Sequence, residues 1–282
     1  MKLTKSEVQI GIAAFAAVAV LAVIAQLVYA PLAVPVGVGA ASAVLAVIAL
    51  RFKNHVAARI EDRASALEAT LRQTRSEVEE TRALVALQEP TFDLPLPWTG
   101  WAVPPRGLLE VLKSVQQFDA PNVIDCGSGV STLHLARAVR QMGRGRVVAL
   151  EQDAAWADYV RRMLERNDLQ AWATIVVAPL EKSVVCDRAT LWYALPDDVL
   201  PRGDRVDMLV VDGPTGKDGI LTRLGALPYF WDRLSEKAVV FLDDTTRPEE
   251  QEIARLWRER YAVDETAIST EHGMSKFTRK SA

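Results

Sequence analysis

The stretch NVIDCGSGVSTLHLARAV, residues Asn122 to Val139, decides the fold of this chain. It begins as a short apolar run that ends on a carboxylate, Asp125, and continues through a turn of small residues. Apolar residues then recur at a spacing of about 3.6, which predicts a helix. Gly127 and Gly129 lack Cβ atoms, so the backbone can turn tightly and approach a ligand at the unpaired N–H groups of the helix N-terminus.

Two classes of nucleotide cofactor compete for such a turn. A dinucleotide fingerprint requires G-x-G-x-x-G, and Thr132 stands where the third glycine is needed. The pattern that fits is Asp125-x-Gly127-x-Gly129-x-Ser131. A carboxylate at the strand end suits a ligand with a cationic amino group and repels a diphosphate. An ordinary tight turn in another α/β domain is the alternative that this stretch alone leaves open.

A second acid follows at a spacing that recurs in nucleoside-binding folds. The apolar run Arg146–Leu150 predicts the next strand, and Glu151 follows it 22 residues after Gly129. A carboxylate at the end of this strand can accept hydrogen bonds from both hydroxyls of a ribose. The two acids together are therefore a stronger sign of a nucleoside site than either one alone.

The C-terminal half alternates apolar runs with helical patterns. Further strands are predicted at residues 173–178, 207–212 and 237–242, and helices at residues 106–118, 220–234 and 249–261. This alternation predicts an α/β fold, with a Rossmann-like, mostly parallel sheet and helices on both faces. Ligands of such sheets bind outside the carboxyl ends of the strands. Five acids fall at those ends: Asp125, Glu151, Asp212, Asp243 and Asp244.

Three of these acids, Asp212, Asp243 and Asp244, come from neighbouring predicted strands. Clustered carboxylates repel one another unless a cation or protons intervene, and their oxygens suit Mg²⁺ or another hard divalent ion. Such a metal can bind a substrate hydroxyl, lower its pKa and orient it. In the alternative, Asp212 contacts the substrate or the cofactor amine, and one of the other two caps the following helix.

The N-terminal part predicts a membrane anchor. No charged residue occurs in the range Val8–Leu50, which is too long for one membrane helix of about 20 residues. It suits two helices, Val8–Val28 and Leu32–Leu50, with a break near Tyr29-Ala30-Pro31 and Pro35. The second apolar segment disfavours the alternative, a cleavable signal peptide.

Charges on either side of the apolar block predict its orientation. The basic residues there are Lys2, Lys5, Arg51, Lys53, Arg59 and Arg63, and the short connection between the two helices has none. The positive-inside rule then places both termini and the C-terminal domain in the cytoplasm, with the hairpin in the inner (cytoplasmic) membrane.

Residues 54–88 contain no Gly or Pro and are rich in Ala, Glu, Arg and Leu, which predicts a long helix. A heptad repeat places apolar residues or Thr at both core positions and so predicts a coiled coil and a homo-oligomer. The core residues are Ala57, Ala64, Leu71, Val78 and Val85 at one position, and Ile60, Leu67, Thr74 and Thr81 at the other. A solitary, solvated spacer helix is the alternative.

These segments predict three parts: a two-helix transmembrane hairpin (residues 1–51), a coiled-coil or spacer helix (52–89) and a catalytic domain (90–282). The catalytic part opens with the Pro-rich segment Pro90–Pro105, in which Trp98 and Trp101 belong either to a strap over the site or to a linker packed on the domain. A net charge of −3 gives no sign of nucleic-acid binding. Cys126 and Cys186 have no metal-like spacing.

Four segments resemble, in order and spacing, the strand-end motifs of class I S-adenosylmethionine (SAM)-dependent methyltransferases. They are IDCGSGVSTLHLA, VVALEQD, VDMLVVDGPTG and VVFLDDTTRPEE. The resemblance covers residues 95–279 and is closest to bacterial enzymes that modify small molecules and glycans. It implies that SAM is held by the following residues: Asp125, Gly127, Gly129, Ser131, Glu151 and Gln152.

The acid pattern is similar to that of catechol-type O-methyltransferases. In that family an acid after the fourth strand and an acid pair after the fifth hold Mg²⁺, and Asp212, Asp243 and Asp244 match these places. The resemblance implies catalytic roles for Asp212 and Asp243. Asp244 departs from the frequent Asn. The family's lysine base has no secure counterpart, although Lys217 is close in sequence, and His272 precedes the last predicted strand.

The function that these features favour is a membrane-anchored methyltransferase. It would transfer a methyl group from SAM to an oxygen nucleophile on a small-molecule, glycan or lipid-linked acceptor. Two alternatives remain: a non-catalytic membrane scaffold or SAM-sensing module, and a nicotinamide-dependent oxidoreductase. The sequence does not distinguish among the acceptors.

Overall fold

The structure is a computed structural model that describes residues 5–28, 30–88, 92, 96, 98–196, 199–200, 204–215 and 221–280. Contacts between Cα atoms divide the chain into two units, Met1–Gln73 and Thr74–Ala282. Two long helices begin the chain, α1 (Lys5–Val28) and α2 (Ala30–Gln88). The predicted helix Leu32–Leu50 is therefore not a separate element, because the helix continues through residues 51–88, where no Gly or Pro interrupts it.

By length and composition, one helix of the described residues could cross a membrane, and it is α2 from Val38 onward. The apolar stretch Ala13–Val28 of α1 is shorter. The predicted hairpin of two membrane spans is thus not confirmed, since among the described residues only one helix is long and apolar enough to cross a membrane. The predicted break between the spans falls at Tyr29, outside the described residues, and Pro35 lies within α2.

The predicted spacer helix is present as the second part of α2. Large apolar side chains of the heptad are exposed along it, including Ile60, Leu67 and Leu71 in the first unit. Exposed apolar residues at coiled-coil positions are what a partner helix would cover. The coiled coil itself stays a prediction.

The last turns of α2 belong to the second unit and pack against its core. Ala83 and Leu87 are buried, and Leu87 joins the apolar cluster on one face of the sheet. Glu79 Oε2 lies 2.8 Å from Arg106 Nη1, and the backbone N–H of Arg106 donates to Glu80 Oε2 over 2.9 Å. The compact unit therefore begins at Thr74, upstream of the predicted start of the catalytic part at residue 90.

A seven-stranded sheet forms the centre of this unit, in the order β3-β2-β1-β6-β7-β9-β8. The first five strands of this order are parallel, and β9 runs antiparallel to both of its neighbours, β7 and β8. The strands are β1 (Asn122–Cys126), β2 (Arg146–Glu151), β3 (Ala173–Val177), β4 (Leu180–Val185), β5 (Arg188–Tyr193), β6 (Val206–Val211), β7 (Leu234–Asp243), β8 (Val263–Ile268) and β9 (Met274–Arg279). The helices are α3 (Pro105–Val115), α4 (Val130–Met142), α5 (Ala154–Arg166), α6 (Ala226–Phe230) and α7 (Pro248–Arg260).

Alternate residues of each strand enter separate apolar cores on the two faces of the sheet. In β1, Val123 packs with Leu108, Leu133 and other residues of α3, α4 and α5, whereas Ile124 packs in the cluster that contains Trp257 of α7. Burial on both faces is the environment that parallel strands require. The Rossmann-like, mostly parallel sheet is confirmed.

Two elements differ from the sequence-based expectation. The predicted helix 220–234 is a short α6 between the 3₁₀ turns Thr222–Gly225 and Trp231–Arg233, because Gly225 and Pro228 both disfavour a longer helix. β4 and β5 form a separate hairpin that the sequence analysis missed. Its turn residues, Cys186 and Asp187, have φ of 50° and 60° and lack the Asn-Gly or Asp-Gly signal that marks such turns.

Candidate functional site

The glycine turn after β1 lies against the turn after β6. The N–H of Gly127 donates to Leu150 O over 2.9 Å, and the N–H of Gly213 donates to Cys126 O over 2.6 Å. Gly127 has a φ of +98°, and a Cβ on it would lie 3.1 Å from Gly213 N. Glycine is therefore required by both the backbone conformation and the space.

Asp125 lies beneath this turn and is fully buried. Its Oδ2 accepts hydrogen bonds from Ser131 Oγ at 2.9 Å and Thr132 Oγ1 at 2.7 Å, while Oδ1 has no partner among the described residues. Burial raises the pKa of Asp125 to about 7, against the two hydrogen bonds, and the charges of Asp212 and Glu151 add to the rise. The carboxyl group thus fixes the first turn of α4.

Glu151, at the end of β2, holds the turn from the other side. Its Oε2 accepts from the N–H of Ser128 at 3.1 Å and from Ser128 Oγ at 2.9 Å. Its Oε1 accepts from the N–H of Asp153 at 3.0 Å. Next to it, Gln152 Nε2 donates to Thr215 Oγ1 over 3.0 Å, which joins the end of β2 to the loop after β6.

These two turns border a cavity of about 370 Å³, within the range of small-molecule sites. Five of the six predicted cofactor-binding residues line it: Gly127, Gly129, Ser131, Glu151 and Gln152. Asp125 is not among the lining residues, because its side chain lies in the core below the turn. The sequence therefore located the cavity, and the structure places Asp125 behind its wall.

Two aromatic residues that were not predicted as part of the site also line the cavity. Trp156 Nε1–H donates to Ser128 O over 2.7 Å, and Trp156 lines the cavity. Tyr193, from the unpredicted hairpin, is buried, and its Oη has no partner in the part of the chain that the structure describes.

The segment before α3 contributes to the site through one of its two tryptophans. Trp101 lines the cavity and is 60% exposed. Trp98 instead packs near the ring of His134, at 6.0 Å between ring centroids. Burial lowers the pKa of His134 to about 4, with Arg137 adding to the effect. Trp101 thus fits the interpretation as a strap over the site, and Trp98 fits the interpretation as a linker packed on the domain.

The three acids of the predicted metal site do converge. One carboxylate oxygen each of Asp212, Asp243 and Asp244 lies within 4.8 Å of the others. An arginine that was not assigned to the site, Arg223, lies among them and is only 4% exposed. Its Nη2 is 3.2 Å from Asp212 Oδ1, and its Nη1 is 3.0 Å from Asp244 Oδ2.

Further contacts complete this acid cluster, which we define as Asp212, Asp243, Asp244 and Glu250 with Arg223 at its centre. Arg223 Nη1 donates to the backbone O of Asp243 at 3.2 Å and lies 3.6 Å from Glu250 Oε1. Arg247 Nη1 is 2.8 Å from Asp244 Oδ2. A lone arginine in the apolar run LTRLGAL was the available sequence signal for a buried ion pair.

Burial and mutual repulsion raise the pKa values of Asp212 and Asp243 in the cluster. Burial raises the pKa of Asp212 to about 6, against the effect of Arg223, and Asp244 adds to the rise. Burial also raises the pKa of Asp243 well above its ordinary value, and Asp212 and Asp244 reinforce that. Burial alone would lower the pKa of the Arg223 guanidinium, but the surrounding carboxylates raise it.

A small second cavity of about 30 Å³ adjoins the cluster. Asp212 and Trp101 line both cavities, so the acid cluster and the larger cavity are parts of one site. His272 lines the smaller cavity as well. Lys217 lies outside the described residues.

One family model matches the part of the chain that forms this site. The model of a family described as a methyltransferase domain matches residues 124–245, which include the glycine turn and the acid cluster up to Asp244. The chain carries a methyltransferase domain. No curated protein matches it.

Solved structures are similar to the methyltransferase domain in fold. A methyltransferase of Podospora anserina, bound to S-adenosylhomocysteine (SAH), is 13% identical, with a TM-score of 0.50, over 73% of this chain and 97% of that one. An O-methyltransferase of Bacillus cereus in complex with SAH is 21% identical, with a TM-score of 0.45, over 73% and 91% of the two chains. At 13% identity the likeness to the Podospora anserina structure shows the fold alone.

Proposed function

We propose that the methyltransferase domain transfers a methyl group from SAM to an oxygen nucleophile on a small-molecule, glycan or lipid-linked acceptor. The observation that carries this is the cavity of about 370 Å³ between the glycine turn and Glu151, next to a buried acid cluster. It lies within a domain whose residues 124–245 match the methyltransferase family.

The lining residues suit a cationic nucleoside more than a dinucleotide. Glu151 and Asp212 bring carboxylates to the cavity wall, which disfavours a diphosphate and favours positive charge. Glu151 would accept hydrogen bonds from a ribose, and Tyr193 offers a buried hydroxyl without a partner among the described residues. Asp125 would act through Ser131 and Thr132, whose hydroxyls it holds.

The acceptor would bind on the side of the acid cluster. SAM, when bound, supplies a methyl group on a positively charged sulfur. As the acceptor oxygen bonds to that methyl carbon and the carbon–sulfur bond breaks, the acceptor hydroxyl must lose its proton. Asp212 lines both cavities, and a pKa of about 6 leaves its carboxylate able to accept that proton near neutral pH. Asp243 borders the same small cavity.

An oxygen acceptor is supported by the acid pattern that resembles catechol-type O-methyltransferases. The same resemblance implied Mg²⁺ at Asp212, Asp243 and Asp244. Arg223 already contacts two of these carboxylates, so no step of the proposed reaction is assigned to a metal.

We also propose that α1 and the first part of α2 anchor the protein in the inner membrane, with the methyltransferase domain in the cytoplasm. The apolar composition of α2 from Val38 and the basic residues after Leu50 support this. The exposed heptad residues support a homo-oligomer. An acceptor delivered at the bilayer, such as a lipid-linked sugar, would give the anchor a purpose.

The test is methyl transfer from isotopically labelled SAM. Full-length protein in detergent is incubated with membrane and soluble extracts, and mass spectrometry identifies the labelled product. We expect label in a hydroxyl-bearing compound with the wild-type protein and much less with Glu151→Gln. SAM binding without transfer in any extract would favour a sensor or scaffold over an enzyme.

A further inference from the structure

We propose that Arg223 is the built-in cation of the acid cluster and positions Asp212 and Asp244 without a divalent metal. The proposed methyl transfer would then be metal-independent, so this inference rests on the proposed function for its catalytic meaning. The structural part of it, a cluster that does not take up a divalent ion, stands on the contacts alone.

Arginine side chains pair with carboxylate oxygens of two of the three predicted metal ligands. Asp244 Oδ2 contacts two guanidinium groups, Arg223 Nη1 at 3.0 Å and Arg247 Nη1 at 2.8 Å. Asp212 Oδ1 contacts Arg223 Nη2 at 3.2 Å. A planar guanidinium with several N–H donors in fixed directions suits such bridging between carboxylates. Two of the three predicted metal ligands therefore already bind an arginine.

The charge of the cluster is also partly balanced. Four carboxylates, Asp212, Asp243, Asp244 and Glu250, surround Arg223, and Arg247 adds a second positive charge at Asp244. A divalent ion among these acids would lie within a few ångströms of the guanidinium groups, which repel it. An uncompensated group of buried acids would have the opposite tendency and attract a metal.

The space beside the cluster is small for a hydrated ion. The adjoining cavity has about 30 Å³, against about 370 Å³ for the larger one. Mg²⁺ requires six oxygen ligands in an octahedron and usually keeps several waters. Arg223 and Arg247 themselves line this cavity, so they present donors where a metal needs oxygen ligands.

Two buried oxygens of the cluster have no hydrogen-bond partner within the described ranges, Asp243 Oδ1 and Glu250 Oε2. Of these two residues Asp243 lines the small cavity and Glu250 does not, so Asp243 is the one that points to a ligand. Asp243 is 2% exposed. Its backbone O accepts from Arg223. Because a buried oxygen without a partner is costly, an acceptor hydroxyl that donates to Asp243 Oδ1 would satisfy it. Arg223 is therefore a positioning residue, and Asp243 is the group that would touch the acceptor.

The experiment measures Mn²⁺ binding and thermal unfolding of full-length protein in detergent after removal of metals. Mn²⁺ is the probe because its free form is counted directly by electron paramagnetic resonance. We expect the wild type to leave Mn²⁺ free and to unfold at the same temperature with and without it. The variant Arg223→Met keeps the length of the side chain and removes its charge. It should unfold at a lower temperature, and it should bind Mn²⁺ roughly tenfold or more tightly than the wild type.

Matched variants make the result specific. Arg255→Met removes an arginine from an exposed ion pair on α7, and it should gain no Mn²⁺ binding. Arg223→Lys keeps the positive charge and should also stay free of Mn²⁺. If Arg223→Met does not fold, the wild type and Arg223→Lys carry the test, and the absence of Mn²⁺ binding in both supports the proposal.

Stoichiometric Mn²⁺ binding by the wild type that Asp243→Asn abolishes would overturn the proposal. Equal responses of folded Arg223→Met and Arg255→Met would overturn it as well. SAM binding, measured by calorimetry on the same samples, keeps the two proposals separate. A wild type that binds neither SAM nor Mn²⁺ would contradict the proposed function and leave the built-in cation supported.

Discussion

Arg223 Nη2 and Asp212 Oδ1 lie 3.2 Å apart at the boundary between the two cavities. The pair joins the end of β6 to the 3₁₀ turn that follows it, and both side chains are largely shielded from water. Removing one partner of such a pair leaves an uncompensated charge and costs about 3–5 kcal/mol. The acid rim of the site is thus held in place by an arginine from the same chain.

Gly127→Ala should destabilise the domain. A Cβ at a φ of +98° would lie 3.1 Å from Gly213 N, and backbone strain of this kind costs about 1–3 kcal/mol. Thermal unfolding of the full-length protein measures the effect. Gly129→Ala is the control, because Gly129 has extended backbone and open space around it. Equal unfolding temperatures for the two variants would contradict the packing of the two turns.

Glu151→Gln should weaken SAM binding by roughly tenfold to hundredfold. The carboxylate holds Ser128 and Asp153, and a hydrogen bond to a charged group contributes about 1.5–3 kcal/mol. Calorimetry with SAM measures the dissociation constant. Glu165→Gln, an exposed change on α5, should leave it unaltered, and equal affinities in both variants would remove Glu151 from the cofactor site.

The buried carboxyl group of Asp125 should make stability depend on pH. Its folded-state pKa of about 7 exceeds the unfolded value of about 3.9, so the folded state binds more protons between these values. The free energy of unfolding should then fall as pH rises through that window. Asp125→Asn keeps an acceptor for Ser131 and Thr132 and removes the titration.

Unfolding temperatures from pH 4.5 to 7.5 give the comparison. Asp212, Asp243 and Glu250 also have raised pKa values, so the wild type and the Asn variant should both lose stability with rising pH. The loss should be smaller for Asp125→Asn. Parallel curves for the two proteins would show that Asp125 does not titrate in this range.

Leu87→Ala should destabilise the domain, because the end of α2 is part of its core. Leu87 is 3% exposed, and truncation of a buried leucine costs about 2–5 kcal/mol. Val85→Ala, two residues away and 59% exposed, should change thermal unfolding far less. If the two variants unfold alike, the end of α2 does not pack on the domain as described.

The parts of the fold and site that depend on local pattern could be predicted from the sequence. The apolar runs located the five parallel strands, and the acids at their ends converge as expected, because parallel strands end at one edge of the sheet. The glycine turn predicted the cavity, because local backbone geometry determines where its two glycines are needed. Gly127, Gly129 and Glu151 all line the cavity.

The parts that depend on distant packing could not be predicted. Tyr193 reaches the cavity from a hairpin whose Cys186–Asp187 turn carries no local signal. Arg223 meets the ends of β6 and β7 and the start of α7 only after the chain has folded. Asp125 is a carboxylate, as expected for a residue that contacts the ligand, but the helix above it buries it in the core. No periodic pattern in the sequence predicts where these three side chains lie.

SAM binding tests the central claim most directly. Isothermal calorimetry is carried out on the full-length protein in detergent, with SAM, SAH and NADH as separate ligands. The account predicts that SAM and SAH bind with one site per chain, that NADH does not bind, and that Asp125→Ala weakens SAM binding. Binding of NADH without binding of SAM would contradict it.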